Sequence, residues 1–252
     1  MPEEILVSRE GAVCRIQINR PKVKNAITMN CYQLMANAIN EADADAGVRV
    51  LLLNGANGNF TSGNDLTDFA SGEMELDESS SASQYMEALM QCSKPIIAAV
   101  DGVAVGIGVT TLLHCDLVYA DANAKLAMPF NSLGLCGEFG STYILPRMMG
   151  RAQAMELMLF GEVFDGVKAK ALGIVVDVVE DVQAHALERA NTLAKQPPIS
   201  TRVNKRLLTS SGQQDLRPII NNESERFAEG LQGAEFREAV TAFMEKRAPN
   251  FL

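Results

Sequence analysis

The 252-residue sequence contains no tryptophan, two histidines and few aromatic residues, which make up 6% of the chain. With His114 and His185 as the only imidazoles, a histidine-rich metal site is excluded. The five cysteines are odd in number and scattered, with no Cys-x-x-Cys pair. This pattern argues against a disulfide framework and favours reduced thiols in a cytosol-like compartment.

The sequence also lacks long uninterrupted apolar runs. The longest mostly apolar stretch, 96–113, contains Asp101 and several glycines. It therefore predicts a buried strand followed by a buried helix rather than a membrane span. The N-terminus has no basic and apolar signal segment, and the C-terminus has no Ser-Lys-Leu-like address, so we expect a cytoplasmic protein.

Basic residues are in deficit: 22 Lys and Arg against 31 Asp and Glu give a net charge of −9. Phosphate backbones and anionic lipids attract basic surfaces, so nucleic-acid and membrane partners are not expected. The length and an apolar content of 47% are sufficient for one large domain, with or without a helical appendage.

The hydrophobic patterns alternate between strands and helices, which predicts an α/β core. Segment 71–83 is acidic and serine-rich, and either a solvated loop or a lid over a nearby site fits that composition. From residue 180 onward the pattern is helical, with a joint at Pro197-Pro198. The predicted elements include a hairpin or two short strands over 5–18, a helix capped by Thr28 with Leu34 among its apolar positions, and a short helix capped by Asp165. Further strands are predicted at 48–53, 96–100, 116–120 and 174–176, and further helices at 82–92 and 109–113.

Two glycine turns are candidate anion sites: Ser62-Gly63-Asn64-Asp65 and Gly106-Ile107-Gly108. Glycine leaves room for a ligand next to the backbone, and the first N–H groups of a helix have no internal partner. Each turn alone is typical of an ordinary loop. Together they suggest paired donors for one oxyanion.

Glu138 lies in the otherwise apolar and glycine-rich segment Leu133-Gly134-Leu135-Cys136-Gly137-Glu138-Phe139-Gly140. One interpretation places it exposed in the first turn of the following helix, where the helix dipole favours a carboxylate. In the other interpretation it is buried, and desolvation raises its pKa toward that of a useful general base.

Two other kinds of nucleophilic site deserve consideration. Cys136 is either a thiol nucleophile or, more in keeping with the absence of a nearby histidine, a small buried side chain. His114 with Asp116 and Ser141 could form a hydrolase triad, but the position of His114 at the end of an apolar helix favours a packed or capping residue.

Taken together, several motifs resemble the crotonase (enoyl-CoA hydratase/isomerase) superfamily, in the right order and over nearly the whole chain. They are Asn19-Arg20-Pro21 with Asn25-Ala26, Phe60-x-Ser62-Gly63-x-Asp65-Leu66, Gly102-x-Ala104-x-Gly106, Cys115-Asp116 and Lys246-Arg247-x-Pro249-Asn250-Phe251.

The resemblance implies an α/β fold, a crotonase-like spiral of ββα turns, with a C-terminal helical region. We therefore expect a spiral core with the acyl-CoA site over 1–195. We expect residues 196–252 to serve in oligomerisation and CoA contacts. The family usually forms trimers or pairs of trimers, so a homotrimer or a dimer of trimers is expected.

The same resemblance implies an acyl-CoA thioester substrate whose oxygen is held by the N–H groups of Asn64 and Ile107. The positions of the two hydratase glutamates fall on Thr110 and Phe130, and neither can act as an acid or base, so ordinary hydration is in doubt. The Δ3,Δ2-enoyl-CoA isomerases of fatty acid β-oxidation place a glutamate where this chain has Glu138.

These implications predict an isomerase that converts a 3-enoyl-CoA to a 2-enoyl-CoA, with Glu138, Asn64 and Ile107 as catalytic groups and no metal or redox cofactor. Alternatives are isomerisation of an aromatic-derived acyl-CoA, acyl-CoA hydrolysis, and a catalytically silent acyl-CoA-binding subunit. The implied substrate-binding residues are Lys24, Ala26, Ser62, Gly63, Asn64, Asp65, Leu66, Gly106, Phe130 and Lys246.

Overall fold

A computed structural model describes residues 3–65 and 79–251 of the chain. Its strands are β1 (Ile5–Glu10), β2 (Val13–Ile18), β3 (Val50–Gly55), β4 (Ile96–Val100), β5 (Val103–Val105), β6 (Leu117–Ala120), β7 (Lys125–Ala127), β8 (Phe164–Asp165) and β9 (Asp177–Val178). Its α-helices are α1 (Met29–Ala44), α2 (Ser81–Gln91), α3 (Ile107–Leu112), α4 (Ser141–Met149), α5 (Arg151–Phe160), α6 (Gly166–Ala171), α7 (Val182–Ala194), α8 (Pro198–Leu231) and α9 (Ala234–Glu245). Short 3-10 helices lie at Pro21–Val23 and Asn131–Leu133.

The strands form two sheets. The larger has the order β1-β2-β3-β4-β6-β9 and is parallel except for the β1–β2 hairpin. The smaller has the order β5-β7-β8. Because β4 and β5 follow each other directly but belong to different sheets, the chain winds from one sheet to the other as it enters α3. This is the mixed α/β architecture that the sequence predicts.

Helices cover both faces of the larger sheet. Alternate residues of β3, such as Leu51 and Leu53, pack with α1 and α2, while Leu52 packs with α7 on the opposite face. All five residues of β4 are fully buried. A parallel strand covered on both faces needs apolar residues at every position, which explains the continuous run Ile96–Val100.

Most predicted elements are confirmed, with small differences at their ends. Thr28 caps α1 by accepting a hydrogen bond from the Cys31 N–H at 3.1 Å, and Asp165 caps α6. The predicted strand 174–176 is wrong, because the strand that pairs with β6 is Asp177–Val178, and of the predicted residues only Val176 bonds to β6, through its N–H to the Val118 carbonyl at 2.8 Å. The N–H groups of Ile174 and Val175 bond to the Ala169 carbonyl at the end of α6 and so cannot join the sheet.

The C-terminal helices pack on the same core as the spiral. Ile220 and Phe227 of α8, together with Phe236 of α9, are buried among residues of the larger core. The predicted boundary at residue 195 stays a prediction.

In the described part of the chain, no helix is both long enough and apolar enough to cross a membrane. Most of segment 71–83, for which a loop or lid is predicted, lies outside the described residues.

Candidate active site

The two glycine turns lie side by side. Thr61 pairs with the β5 backbone through its N–H to the Val103 carbonyl (2.9 Å) and its carbonyl to the Val105 N–H (3.1 Å). Gly63 has φ +89° and lies so close to the β5 backbone that a Cβ on it would be 2.8 Å from the Val105 carbonyl oxygen. Glycine is required here both for its conformation and for its size. The strand that leads to Ile107 therefore passes directly beside the turn that carries Asn64.

The Asn64 and Ile107 N–H groups have no hydrogen-bond acceptor within residues 3–65 and 79–251. Ile27 pairs with both neighbours of Asn64, accepting from the Asp65 N–H and donating to the Gly63 carbonyl at 2.8 Å each, and this pairing does not use the Asn64 N–H. Ile107 is the first residue of α3, so its N–H precedes the first helical hydrogen bond. Two unpaired donors on adjacent turns suit a single oxygen that gains negative charge.

Glu138 is buried, with 7% of its surface exposed, and it precedes α4 rather than lying within that helix. The interpretation of Glu138 as an exposed residue in the first turn is therefore wrong. Its Oε1 accepts a hydrogen bond of 2.5 Å from the Thr110 hydroxyl. Thr110 follows Ile107 by about one turn of α3 on the same helix face, which places the carboxylate close to the Ile107 turn.

Burial raises the pKa of Glu138 to about 8, against an ordinary value of 4.5. The hydrogen bond from Thr110 opposes this rise, and the negative charge of Glu223 adds to it. A carboxylate whose pKa lies near neutral pH can both accept and return a proton, as a general acid–base catalyst must.

A stacked histidine supports the residue that follows Glu138. Phe139 has the left-handed φ of +54°, and the His114 ring stacks on the Phe139 ring with 3.7 Å between centroids. Burial lowers the pKa of His114 to about 4, so the ring is neutral, and its Nε2 lies 2.7 Å from the Phe139 carbonyl. Because a carbonyl can only accept, Nε2 carries the proton in this contact. His114 therefore holds the Glu138 loop.

The hydrolase triad does not form. Asp116 accepts hydrogen bonds from the Ile96 N–H and from Lys205 Nζ, each at 2.7 Å, and His114 binds the Phe139 carbonyl instead. Cys136 is half-buried, its thiol donates to the Glu223 carbonyl at 3.5 Å, and burial raises its pKa, which favours the inert thiol over the nucleophile.

Glu223 of α8 is a site neighbour that sequence reasoning missed. Its carboxylate accepts hydrogen bonds from the Gly140 N–H (2.6 Å), the Thr142 N–H (3.0 Å) and the Thr142 hydroxyl. The sequence pattern could have indicated its burial, because Glu223 lies at helical spacing between Ile220 and Phe227 on the buried face of the helix. A carboxylate in such a position indicates a specific partner.

Tyr32 of α1 is a second residue that was missed. Its ring is buried and its hydroxyl donates to the Asn64 side-chain oxygen at 2.5 Å. Burial raises the pKa of Tyr32 well above its ordinary value, so the hydroxyl stays protonated. Leu34, which the helical pattern assigns to the packed face, is instead 37% exposed.

The predicted CoA-binding segments around Lys24 and Ser62 are brought together. The Ser62 N–H donates to the Lys24 carbonyl at 2.9 Å, while the Lys24 side chain is exposed. Ala26 is buried, and its carbonyl accepts from Arg20 at 2.6 Å. The Asp65 carboxylate forms an ion pair with Arg20 at 2.8 Å, so this carboxylate ties the two segments together.

The other predicted binding residues are distributed more widely. Phe130 is buried beside Gly106, where a Cβ would lie 3.8 Å from the Phe130 ring. Lys246 ends α9 as an exposed residue, and among the described contacts none joins it to the glycine turns. Leu66 lies outside the described residues. Across the described ranges, no cluster of three or more His, Cys, Asp and Glu residues could hold a metal ion.

A family model described as enoyl-CoA hydratase/isomerase matches residues 8–252. The chain belongs to this family. It is 34% identical to enoyl-CoA delta isomerase 2 of Rattus norvegicus over 96% of its own length, but it spans only 64% of that relative. It is 32% identical to 1,2-epoxyphenylacetyl-CoA isomerase of Escherichia coli, with 100% of this chain and 99% of the relative covered.

The solved structure of OdaA from Pseudomonas aeruginosa superimposes with a TM-score of 0.93 at 43% identity, covering 96% of this chain and 99% of the other. A solved structure of an enoyl-CoA hydratase/isomerase from Pseudoalteromonas atlantica T6c superimposes with a TM-score of 0.94 at 37% identity, covering 99% of this chain and 100% of the other. This similarity confirms the crotonase-like fold. Relatives named as hydratases match at 30% to 33% identity. The family is thus established, and the relatives' names divide between isomerases and hydratases.

Proposed function

We propose that this member of the family isomerises a 3-enoyl-CoA to a 2-enoyl-CoA, with Glu138 as the base that moves the proton. The observation that carries the proposal is the buried Glu138 carboxylate, hydrogen-bonded to Thr110 one helical turn from the unpaired Ile107 N–H. The rat relative, named a delta isomerase, supports the same reaction class.

The reaction needs one proton shuttle and one oxyanion site. The ionised Glu138 removes a proton from carbon 2, and the electron pair of that C–H bond moves toward the thioester carbonyl. The N–H groups of Asn64 and Ile107 stabilise the oxygen as it gains charge, and a single donor of this kind is typically worth about 100- to 1000-fold in rate. Protonated Glu138 then delivers the proton to carbon 4 while the double bond forms between carbons 2 and 3.

Hydration of a 2-enoyl-CoA is a poorer fit to these residues. Addition of water needs groups that position the water and move its protons. The two positions where hydratases have glutamates hold Thr110 and Phe130. The Thr110 hydroxyl is hydrogen-bonded to Glu138, and the apolar Phe130 side chain packs against Gly106 and Phe227. Glu138 alone suffices for the isomerisation, because one carboxyl group can serve both carbons from the same face.

A second candidate is the isomerisation of an aromatic-derived acyl-CoA through the same Glu138. The full-length match to 1,2-epoxyphenylacetyl-CoA isomerase favours it, since that relative is covered over 99% of its length. Both candidates need the same oxyanion donors, so they differ in the acyl group rather than in the site.

The remaining properties are also proposals. The chemistry above requires no metal or redox cofactor, and coenzyme A enters only as part of the substrate. We expect a cytoplasmic enzyme that binds neither nucleic acid nor membranes. It should assemble as a homotrimer or a dimer of trimers, which light scattering after size-exclusion chromatography would measure.

The reaction is tested by offering the wild-type protein three CoA thioesters in separate assays: 3-hexenoyl-CoA, 2-hexenoyl-CoA and 1,2-epoxyphenylacetyl-CoA. The proposal predicts turnover of the first to 2-hexenoyl-CoA and little hydration of the second. Turnover of the third alone would favour the second candidate, and hydration as the main reaction would contradict the proposal. Binding without any turnover would indicate a catalytically silent subunit.

A further inference from the structure

Glu223 is a second buried carboxylate that the proposed reaction leaves unexplained. It is 4% exposed and lies on the apolar face of α8. A buried carboxylate destabilises a protein unless hydrogen-bond donors compensate for the lost hydration. Among the described residues, three donors contact this carboxylate, and they come from Gly140 and Thr142, in the stretch immediately after Glu138.

The arrangement of the three donors bears on the ionisation state of Glu223 and on its role in holding the neighbouring loop. The Gly140 N–H bonds to one carboxyl oxygen, and the N–H and hydroxyl of Thr142 bond to the other. Both oxygens thus accept, which suits an ionised carboxylate. Burial raises the pKa of Glu223, and the hydrogen bonds from Thr142 and Gly140 oppose this rise. Phe139 and Gly140 both have positive φ, +54° and +74°, so the backbone that joins Glu138 to α4 takes an unusual path. By accepting hydrogen bonds from Gly140 and Thr142, Glu223 holds the end of this segment that leads into α4.

The charge of Glu223 also acts on Glu138. The titratable groups that affect Glu138 or are affected by it come from α1 (Tyr32), α2 (Tyr85), the Glu138 loop (Cys136) and α8 (Glu223). Burial raises the pKa of both tyrosines and of the thiol, so they are neutral at pH 7. Within the described ranges, Glu223 is therefore the anion that disfavours ionisation of Glu138, in addition to the larger effect of burial.

We propose that Glu223 is a positioning residue for the reaction at Glu138: its carboxylate fixes the loop of residues 138–142 and places a second negative charge close to the base. The inference rests on the proposed function insofar as Glu138 is the base. It assigns part of the active-site construction to α8, within the predicted C-terminal helical region.

Two substitutions separate the charge from the hydrogen bonds. Glu223→Gln removes the charge and turns an NH₂ group toward at least one N–H donor, so one hydrogen bond is lost as well. Glu223→Asp keeps the charge but is shorter, so the loop loses its close contacts. Glu229→Gln on the same helix is the matched control, because Glu229 is an exposed carboxylate paired with Arg226.

The first readout is the rate of 3-hexenoyl-CoA isomerisation as a function of pH. Since a misplacement of about 1 Å costs about 100-fold, we expect both variants to lose on the order of 10- to 100-fold in kcat with a smaller change in KM. In Glu223→Gln the rising limb of the pH profile should also move to lower pH, while in Glu223→Asp it should stay near the wild-type position. Wild-type kcat in both variants would overturn the inference.

The second readout does not depend on turnover. Infrared spectroscopy follows the C=O band of the protonated Glu138 carboxyl group, identified as the band that is missing in Glu138→Gln. The midpoint of its titration should move to lower pH in Glu223→Gln and stay in Glu229→Gln. An unmoved midpoint in Glu223→Gln would overturn the inference, even if the wild-type protein has no isomerase activity. If Glu223→Gln does not fold, the kcat of Glu223→Asp decides, and an unchanged value overturns the inference.

Discussion

Replacing the buried Glu138 by glutamine should stabilise the protein, and more so as the pH rises. The pKa of Glu138 is about 8 in the folded chain, against an ordinary value of 4.5. Between these values the folded state binds a proton that the unfolded chain lacks, so the stability of the wild type falls as the pH rises through this window. Below pH 4.5 both states are protonated, and the effect disappears.

The magnitude follows from the size of the pKa shift. Since one pKa unit corresponds to about 1.4 kcal/mol, wild-type stability should fall by on the order of 5 kcal/mol between acidic pH and pH 9 because of Glu138 alone. Glutamine cannot ionise, and its side-chain oxygen can still accept the hydrogen bond that Thr110 donates. Glu138→Gln therefore escapes this loss.

Urea denaturation of the wild type and Glu138→Gln at pH 5, 7 and 9, at one fixed protein concentration, measures the effect. The stability difference between the two proteins should grow by several kcal/mol across this range. Effects of titrating groups that do not interact with Glu138 cancel in the difference. The exposed-site control Glu229→Gln should give a difference that changes little with pH. A difference for Glu138→Gln that is equally flat would refute the burial-induced rise in pKa.

Three further predictions concern catalysis and the turns that support it. As Glu138 ionises, kcat/KM of the wild type should rise about tenfold between pH 7 and pH 9 in a steady-state pH profile; a flat profile would argue against Glu138 as the base. Tyr32→Phe removes the hydroxyl that donates to the Asn64 side chain, and kcat should fall roughly tenfold with little change in KM, measured in the same assay. Gly63→Ala places a methyl group 2.8 Å from the Val105 oxygen at a positive φ, so thermal denaturation should show a loss of about 1–3 kcal/mol, whereas wild-type stability would contradict the observed close approach.

The elements that could be predicted from the sequence are those whose residues form a local pattern. Strand β4 has the predicted bounds, 96–100, because a strand buried on both faces requires an unbroken apolar run. The caps at Thr28 and Asp165 are recognisable because a capping side chain bonds to a backbone N–H only three residues away. The position of strand β9 was predicted wrongly because the preceding residues, Ile174 and Val175, are also apolar. Their side chains pack in the core, but their N–H groups bond to the Ala169 carbonyl and not to a neighbouring strand.

The site was predictable only in part, for the same reason. The glycine turns at Gly63 and Gly106 leave a local signal, but their adjacency depends on a bridge between Thr61 and β5 that no spacing reveals. The contact of Glu223 with Gly140 joins residues that are 83 positions apart, and the contact of Tyr32 with Asn64 joins residues 32 apart. Such pairs form through tertiary packing. A buried polar residue on an apolar helix face hints at a partner without identifying it.

The most direct test of the central claim compares the rate of conversion of 3-hexenoyl-CoA to 2-hexenoyl-CoA by the wild type and Glu138→Gln. Glutamine preserves the size of the side chain and the bond from Thr110 but cannot take up the proton as a carboxylate does. If Glu138 is the base, the wild type turns the substrate over and the variant loses at least about 100-fold in kcat. Wild-type activity that survives the substitution would contradict the account and assign the proton transfer to another residue.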